Sequence, residues 1–315
     1  MPVCGSLSQP QGNHMNSRHL AIVPATWHVL STYILRRSNL PPPFLASFKL
    51  TQRCNLHCEP CPFWRQPTPD LPWGQVISSL AKLRQRGSRI VIFEGGEPLI
   101  WQDGAYRFKD VVAEARKLFL VVGATTNGTQ PLDVGTDVLW VSLDGLQATH
   151  DRLRGTGVFQ QALANIQASR TSCVYAHLTA NRQNAAELPE LIKFLRGKVR
   201  GITIQLYYPY GGKDNLWLPP DERERLLRQV IQLKQSGYPI LNSIPGLRAL
   251  MRGSWRCVDS LVDNVHPDGS LQQGCYLKGR DVPDCSCCGF SPHTEISLAY
   301  QGVPAAIWAG LRIFF

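Results

Sequence analysis

Three cysteines stand within eight residues of this chain, at Cys54, Cys58 and Cys61, directly after an apolar run over residues 44–50. Three soft thiolate ligands on one short loop suit an iron–sulfur cluster, and a four-iron cubane held by three protein ligands keeps one iron open for chemistry. Zinc would need a fourth ligand, and His57 lies inside the loop, where it can hardly coordinate beside its neighbours. A disulfide framework suits small secreted chains, whereas this chain has 315 residues and no recognisable signal peptide. We therefore predict that the three cysteines hold a catalytic [4Fe–4S] cluster.

Strand and helix patterns alternate after the triple proline at residues 41–43. Apolar and β-branched runs predict six strands, and apolar residues at helical spacing predict helices between them. Six βα units imply a parallel sheet with right-handed crossovers, and they are too few to close an eight-stranded barrel. The predicted fold is therefore α/β, an open, partial (β/α)6 barrel with a small cysteine-rich C-terminal extension. The predicted strands span residues 44–50, 89–93, 119–124, 137–143, 173–178 and 201–207.

Four polar motifs follow the first four predicted strands. Chemistry in a parallel α/β sheet collects at the carboxyl ends of the strands, so these motifs are expected on one rim. Paired glycines let the backbone approach a ligand closely, and a glutamate with the adjoining carbonyls can accept from an ammonium group. We expect one ligand site built from all four. The motifs are the cysteine loop, Gly95-Gly96-Glu97-Pro98, Thr125-Thr126-Asn127-Gly128 and Ser142-Leu143-Asp144-Gly145.

The cysteine trio, followed in the right order by Gly95-Gly96-Glu97-Pro98, resembles the radical S-adenosylmethionine (SAM) superfamily over residues 44–210. The resemblance implies a [4Fe–4S] cluster and SAM as cofactors, with a reductant such as flavodoxin or ferredoxin as a partner. It also implies reductive cleavage of SAM to methionine and a 5′-deoxyadenosyl radical, so that the cofactor supplies the hard chemistry.

The same resemblance implies roles for the rim residues. The segment over residues 95–98 would bind the methionine amino group, and Ser142 and Asp144 match a position near the ribose. Arg154 matches an arginine that pairs with the SAM carboxylate, a task that suits a planar guanidinium. Simple turn chemistry is the alternative for the residues after the third strand. The predicted cofactor-binding residues are Gly95, Gly96, Glu97, Pro98, Thr126, Asn127, Ser142, Asp144 and Arg154.

One position departs from the family pattern. Many members carry an aromatic residue directly before the third cysteine, where this chain has Pro60. We therefore expect adenine stacking from Phe63 or Trp64.

A second cysteine group lies between residues 257 and 288. Cys257 and Cys275, with 17 residues between them, resemble the first half of the SPASM or twitch extension, which holds an auxiliary iron–sulfur cluster. The second half departs from that pattern, and the number of thiols permits one auxiliary cluster. Four thiolates also suit zinc, which stays an alternative. The predicted ligands are Cys257 and Cys275 with two of Cys285, Cys287 and Cys288.

Composition and pattern divide the chain into four regions. We predict an N-terminal arm with an apolar helix over residues 1–43, the barrel over 44–215, a helical connection over 216–256, and the cysteine-rich region with an apolar tail over 257–315. A hydrophobic content of 43% is ample for a packed core. Clustered cysteines favour metal sites in a reducing cytosol, so we expect a cytoplasmic protein.

Charge and apolar segments bear on the substrate. The formal net charge is +10, and a basic surface attracts anionic partners. The apolar segment over residues 20–35 is shorter than a membrane span, and together with the aromatic tail over 296–315 it predicts peripheral membrane contact. The alternative is that both segments pack on the domain and seal the open side of the barrel. Residues 287–295 resemble the cysteine-glycine-aromatic ending of adenosyl-hopene transferases. These features favour a small or lipid-like substrate and a role in lipid biosynthesis.

Other functions stay open. The SPASM-like half-motif also fits a peptide-modifying maturase, although the 43 residues before the barrel are short for a leader-peptide-binding domain. The basic second half would fit RNA modification, but the chain has no appended recognition fold, so nucleic acid is not the expected partner. A non-catalytic iron–sulfur scaffold would need the cysteines but not Glu97 or Arg154. Their joint presence favours an enzyme, an oxidoreductase or a transferase.

Overall fold

A computed structural model of the chain describes residues 41–66, 68–171 and 173–315. The predicted N-terminal arm up to residue 40, with its apolar segment over 20–35, lies outside the described residues. The strands are β1 (Leu45–Thr51), β2 (Ile90–Gly95), β3 (Gln102–Asp103), β4 (Tyr106–Arg107), β5 (Val121–Thr126), β6 (Val138–Ser142), β7 (Val174–Ala180), β8 (Gly201–Leu206), β9 (Val262–Val265) and β10 (Leu271–Gln273). The helices are α1 (Trp73–Arg86), α2 (Phe108–Ala115), α3 (Gln147–Arg154), α4 (Val158–Ala168), α5 (Leu188–Leu195), α6 (Pro220–Gln235), α7 (Ile244–Arg252), α8 (Ser291–Tyr300) and α9 (Pro304–Phe314).

One eight-stranded sheet carries the fold, in the order β10-β9-β1-β2-β5-β6-β7-β8. The strands from β9 to β8 pair in parallel, and β10 joins the edge antiparallel to β9. The six predicted strands form the central run from β1 to β8, each within about two residues of its predicted bounds, the usual boundary uncertainty. The α/β prediction and the partial barrel are confirmed, and the carboxyl ends of these strands meet at one rim.

The sequence did not predict β9 and β10, which come from the C-terminal extension. Strand β9 pairs with β1 from Leu45 opposite Val262 to Phe48 opposite Val265. A bidentate ion pair holds it there, because Arg86 at the end of α1 donates to both carboxylate oxygens of the buried Asp263, at 2.9 and 3.0 Å. The extension is therefore part of the main sheet and does not form a sheet of its own.

The two faces of the sheet differ in what covers them. Side chains alternate across a strand, so Ala46, Phe48 and Leu50 of β1 lie on one face, packed in the main core with the helices. The opposite face, which we call the inner face, has two layers. Near the amino ends of the strands it is apolar, with Ile90, Val121, Val138, Trp140 and Tyr175 in contact.

The end of the chain closes this apolar layer. Ile313, Phe314 and Phe315 pack against it, and the ring of Phe314 meets Trp140 edge-on at a centroid distance of 6.0 Å. The hydroxyl of Tyr175 lies 3.2 Å from the carbonyl oxygen of Ile313 and donates to it. Much of the apolar tail is thus explained by packing within the barrel.

Membrane contact by the tail stays a prediction, and it now rests on fewer side chains. Trp308 is 63% exposed and Ile307 42%, whereas Phe314 and Phe315 are half-buried against the sheet. None of the helices in the described ranges combines the length and apolar character that crossing a bilayer requires.

Truncating Phe314 should destabilise the barrel. We expect Phe314→Ala to lower the free energy of unfolding by about 2 kcal/mol, because a half-buried aromatic loses its packing against Trp140. Trp308→Ala, on the same helix but exposed, should change it by less than about 0.5 kcal/mol. Urea titration of both variants measures the difference, and equal effects would contradict the assigned packing.

Candidate active site at the carboxyl rim

The cysteine loop follows β1 and is fixed by backbone hydrogen bonds. The N–H of Cys61 donates to the carbonyl of Cys58 at 3.2 Å, and the N–H of Glu59 donates to the carbonyl of Leu153 on α3 at 2.8 Å. The indole Nε1 of Trp64 also donates to the carbonyl of Cys58, at 3.1 Å. The three cysteines are therefore presented by a loop that is tied to the barrel on two sides.

Burial disfavours the thiolate form of Cys54 and Cys58, which a bound cation would favour. Burial raises the pKa of Cys54 to about 11, and it also raises the pKa of Cys58. Sγ of Cys54 accepts from the N–H of Leu56 at 3.4 Å and from Nδ2 of Asn127 at 3.8 Å. Three thiols, of which Cys54 accepts two N–H donors at its sulfur, fit an iron–sulfur cluster, since bound iron deprotonates thiols and N–H···S bonds tune such clusters.

Gly95 and Gly96 pack so closely against the backbone before the cysteine loop that a side chain at either position would clash with it. A Cβ on Gly95, whose φ is 141°, would lie 2.1 Å from the carbonyl oxygen of Thr51, and one on Gly96 would lie 2.2 Å from that of Arg53. In return, the N–H of Gly96 donates to Thr51 and the N–H of Glu97 to Arg53, at 2.7 and 2.9 Å. The sequence predicted close approach to a ligand, whereas here the neighbour is the backbone leading into the cysteine loop.

Glu97 ties the second rim motif to the third. Its fully buried carboxylate accepts from the N–H of Leu99 at 3.0 Å, the hydroxyl of Thr126 at 2.8 Å and the N–H of Asn127 at 2.7 Å. Burial raises its pKa to about 7, although the three donors oppose the rise. Three of a carboxylate's roughly four acceptor sites are thus occupied. The Glu97 side chain therefore keeps little capacity for a further donor, and Pro98 begins the short turn that follows.

Asn127 joins the third motif to the cysteine loop. Its Nδ2 donates to the side-chain oxygen of Asn55 at 2.9 Å as well as approaching Cys54, and its Oδ1 accepts from Thr129 at 2.7 Å. Nδ2 of Asn55 donates in turn to the hydroxyl of Thr129 at 2.8 Å. The sequence analysis missed Asn55, although its place directly after the first cysteine was the available signal.

Asp144 and Arg154 form a buried ion pair beside the loop. Nε of Arg154 donates to Oδ2 of Asp144 at 2.6 Å, and the N–H of Thr179 donates to Oδ1 at 3.0 Å. Burial opposes the charge of Arg154, but Asp144 and then the Cys58 thiolate raise its pKa, so the guanidinium stays charged next to Cys58. Within the described part of the chain its two terminal nitrogens make no hydrogen bond. They are therefore available for a carboxylate.

Ser142 and His150 lie near the turn that carries Asp144. Ser142 is buried at the end of β6. His150 accepts from the N–H of Asp144 through Nδ1 at 3.1 Å, and burial lowers its pKa to about 4. A neutral His150 therefore supports the turn that carries Asp144.

Of the two rings proposed for adenine stacking, Trp64 packs against His57 with centroids 4.5 Å apart, and Phe63 packs edge-on against Tyr210 at 5.2 Å.

An aromatic wall lies beside the loop, built from one residue that follows the cysteines and four from the C-terminal half of the chain. Successive ring centroids lie between 5.2 and 5.8 Å apart. A cleft of about 200 Å³ opens between the loop and the segment over residues 207–216. The wall therefore gives the rim an aromatic side next to the cysteines. Its members are Phe63, Tyr208, Tyr210, Tyr276 and Phe290.

The C-terminal cysteines divide into two groups. Burial raises the pKa of Cys288 to about 12, and the charges of Cys275, Cys257 and Cys285 add to the rise, so these four sulfurs share one region. Cys287 is oriented differently, because its Sγ donates to Oδ2 of Asp284 at 3.3 Å. In the described ranges, no three His, Cys, Asp or Glu side chains converge as ligands of a single metal ion.

Comparison with known proteins identifies the class. Residues 48–195 match the family model of the Radical SAM superfamily. The chain is 32% identical to the pre-heme d1 synthase of Dinoroseobacter shibae over 161 residues, which are 46% of this chain and 39% of that protein. It is 27% identical to the AdoMet-dependent heme synthase of Methanosarcina barkeri over 305 residues, 86% of this chain and 84% of that one. The crystal structure of Streptococcus suis SuiB bound to S-adenosylmethionine superposes with a TM-score of 0.61 at 15% identity, covering 93% of this chain and 73% of SuiB.

Residues 48–195 carry a radical SAM domain, and the prediction of an enzyme is confirmed, with its subclass open. The cofactors predicted from the sequence, a [4Fe–4S] cluster and SAM, are those that this family uses. The chain spans 39% of the length of the pre-heme d1 synthase that it matches. The structural likeness to SuiB shows the shared fold.

Arg154 should be important for SAM binding and not for iron binding. We expect Arg154→Lys to weaken SAM binding by about tenfold or more, because a lysine keeps the charge but loses the planar fork. Iron content should not change, since the side chain ligates no metal. Arg152→Lys, two residues earlier on the same helix and exposed, is the matched control. Equilibrium dialysis of SAM against the reconstituted proteins measures this, and unchanged affinity in Arg154→Lys would refute the role.

Proposed function

We propose that the chain cleaves SAM reductively and uses the resulting radical to modify a small substrate with an extended aromatic face, of the tetrapyrrole class. One observation carries the first half of this proposal. Two rim residues that match SAM-binding positions act on the cysteine loop: Asn127 donates to Cys54, and the charge of Arg154 interacts with Cys58. Cofactor and cluster would therefore meet at the open end of the barrel.

The rim residues have different proposed roles. Cys54, Cys58 and Cys61 would hold the cluster, and when bound, the reduced cluster supplies the electron that cleaves SAM to methionine and a 5′-deoxyadenosyl radical. The terminal nitrogens of Arg154 would orient the SAM carboxylate. The electron has to come from another protein, so a reductant of the flavodoxin or ferredoxin kind is part of the proposal.

The aromatic wall supports the choice of substrate. Tyr210 and Tyr276 lie near the cysteine loop, because the charge of Cys61 adds to the rise that burial causes in the pKa of both. Planar rings stack on such side chains, and their bulk excludes water from the place where a radical would form. Both curated relatives described above are named as heme-related synthases. Neither name supports the lipid substrate expected from the sequence, and we do not propose one.

Loss of the second cysteine should abolish SAM cleavage. We expect anaerobically reconstituted Cys58→Ala to form no 5′-deoxyadenosine above background with dithionite, because two thiolates cannot hold the cluster that binds SAM. Cys287→Ser, which keeps a donor toward Asp284, should cleave SAM at the wild-type rate. Chromatographic quantification of 5′-deoxyadenosine separates these outcomes, and continued formation by Cys58→Ala would exclude the assignment.

We also propose which cysteines hold the auxiliary cluster. Cys257, Cys275 and Cys285 each influence the pKa of the Cys288 thiol, whereas Cys287 is engaged by Asp284. Four thiolates in one region are the number that a complete cluster takes. The ligand set would be Cys257, Cys275, Cys285 and Cys288.

Two adjacent variants test this ligand set. We expect Cys288→Ser to lower bound iron by about four per chain and Cys287→Ser to leave it unchanged, since a cubane holds four irons. Metal analysis with Mössbauer spectra of both proteins measures it. A wild-type protein with one zinc in place of the second cluster would favour the zinc alternative, and iron loss in Cys287→Ser would exclude the proposed set.

A further inference from the structure

Arg280 is a cation held between two rings without an acidic partner. Its guanidinium carbon lies 4.1 Å from the ring centroid of Tyr276 and 4.8 Å from that of Phe63. It is half-buried, and in the described ranges no carboxylate forms an ion pair with it. One hydrogen bond joins the guanidinium to the Tyr276 hydroxyl, and because a guanidinium has five N–H donors, others stay available for a ligand.

The nearest other cation is already neutralised. Lys49, fully buried on the inner face, has its Nζ 3.2 Å from Oε1 of Glu94 and 4.1 Å from the ring centroid of Tyr276. Nζ also donates to the hydroxyl of Ser47 at 2.5 Å and to Oδ1 of Asn264 at 3.3 Å. Glu94 is thus the counter-ion of Lys49, and Arg280 is the cation of this group that has no carboxylate in ion-pair contact within the described ranges.

The electrostatics agree with this geometry. Burial lowers the pKa of Lys49 to about 7, and although Glu94 opposes this, the positive charge of Arg280 lowers it further. Burial also disfavours ionisation of Glu94, yet Lys49 and Arg280 bring its pKa below the usual value. The positive charge of Arg280 therefore shifts the pKa of both Lys49 and Glu94, so the three side chains interact electrostatically.

Arg280 also lies close to the place where radical chemistry would occur. Phe63, beneath the guanidinium, is two residues after Cys61, and its ring packs edge-on against Tyr210 of the aromatic wall at 5.2 Å. A group bound by Arg280 would therefore lie beside the cysteine loop, against the aromatic wall.

We propose that Arg280, between Tyr276 and Phe63, binds a carboxylate of the substrate and so selects substrates that carry an acidic side chain next to an aromatic face. The proposal rests on the proposed function for the place of the substrate. A planar fork of N–H donors matches a carboxylate in a bidentate manner. A single carboxylate brings one negative charge next to Glu94, whereas a phosphate dianion would bring more.

Binding of coproporphyrin III, a porphyrin with four carboxylates, to the reconstituted holoenzyme tests the proposal. Fluorescence anisotropy should show Arg280→Gln binding about tenfold to a hundredfold more weakly than wild type, since a hydrogen bond to a charged group is lost. Arg280→Lys should fall between the two. Arg65→Gln removes a similar arginine, stacked 4.5 Å from Trp64 but exposed, and should bind as wild type does.

Two further comparisons separate charge recognition from packing and from phosphate binding. The tetramethyl ester of the same porphyrin should bind wild type and Arg280→Gln equally. Glutarate should displace the porphyrin at lower concentration than inorganic phosphate does. A loss of affinity that is equal for acid and ester, stronger displacement by phosphate, or wild-type protein that does not bind the acid would each overturn the proposal.

Two control measurements distinguish a folding defect in Arg280→Gln from a failure of the proposed reaction. Thermal melting of Arg280→Gln should match wild type, and SAM cleavage without substrate should persist in it, because Arg280 is not among the residues assigned to the cluster or SAM. If wild type cleaves SAM but does not bind the acid, this inference fails while the radical SAM activity stands. If wild type fails to cleave SAM but binds the acid through Arg280, the proposed reaction fails instead.

Discussion

The backbone contact between Gly95-Gly96-Glu97 and residues 51–53 is the constraint on which the site depends. Two N–H groups of the second rim motif donate to carbonyls directly before the first cysteine, at a separation that no side chain at residue 95 or 96 would allow. The carboxylate of Glu97 then extends this connection to the third motif through Thr126 and Asn127. Asn127 returns to Cys54. The thiol loop is therefore positioned by a closed circuit of contacts, in which a small backbone change at one motif would move the others.

The inner face explains how such a polar rim is tolerated inside a barrel. At the amino ends of the strands, Trp140 and Tyr175 pack against Phe314 and its neighbours, which fill the base with apolar atoms. Towards the carboxyl ends the same face carries Lys49 and Glu94, and their attraction for each other offsets part of the cost of burying both charges. The C-terminal extension contributes to both layers, with α9 at the base and Tyr276 above. It therefore completes the open barrel as well as carrying the second cysteine group.

Local patterns were enough to predict the six central strands and the order of the rim motifs, because apolar β-branched runs and glycine turns are local signals. Strand β9 was missed because its pairing with β1 joins residues more than two hundred positions apart, and its four residues contain Asp263 and Asn264. The sequence near Gly95 and Gly96 could not show why glycine is needed there, since the reason is a contact with carbonyl groups at the end of strand β1 and just after it. Arg280 gave no periodic or motif signal, and its importance appears only when Phe63 and Tyr276 are brought to it by the fold.

Two arginines face the cysteine loop, and their different surroundings fit them for different ligands. Arg154 already has a counter-ion in Asp144, so its site is neutral before a ligand arrives. A neutral site suits the amino-acid end of SAM, whose ammonium and carboxylate cancel in charge. Arg280 has aromatic faces against its guanidinium and, within the described residues, no carboxylate in ion-pair contact, so its site offers N–H donors to an anion. This difference supports the proposed placement of the cofactor beside Arg154 and of an acidic substrate beside Arg280.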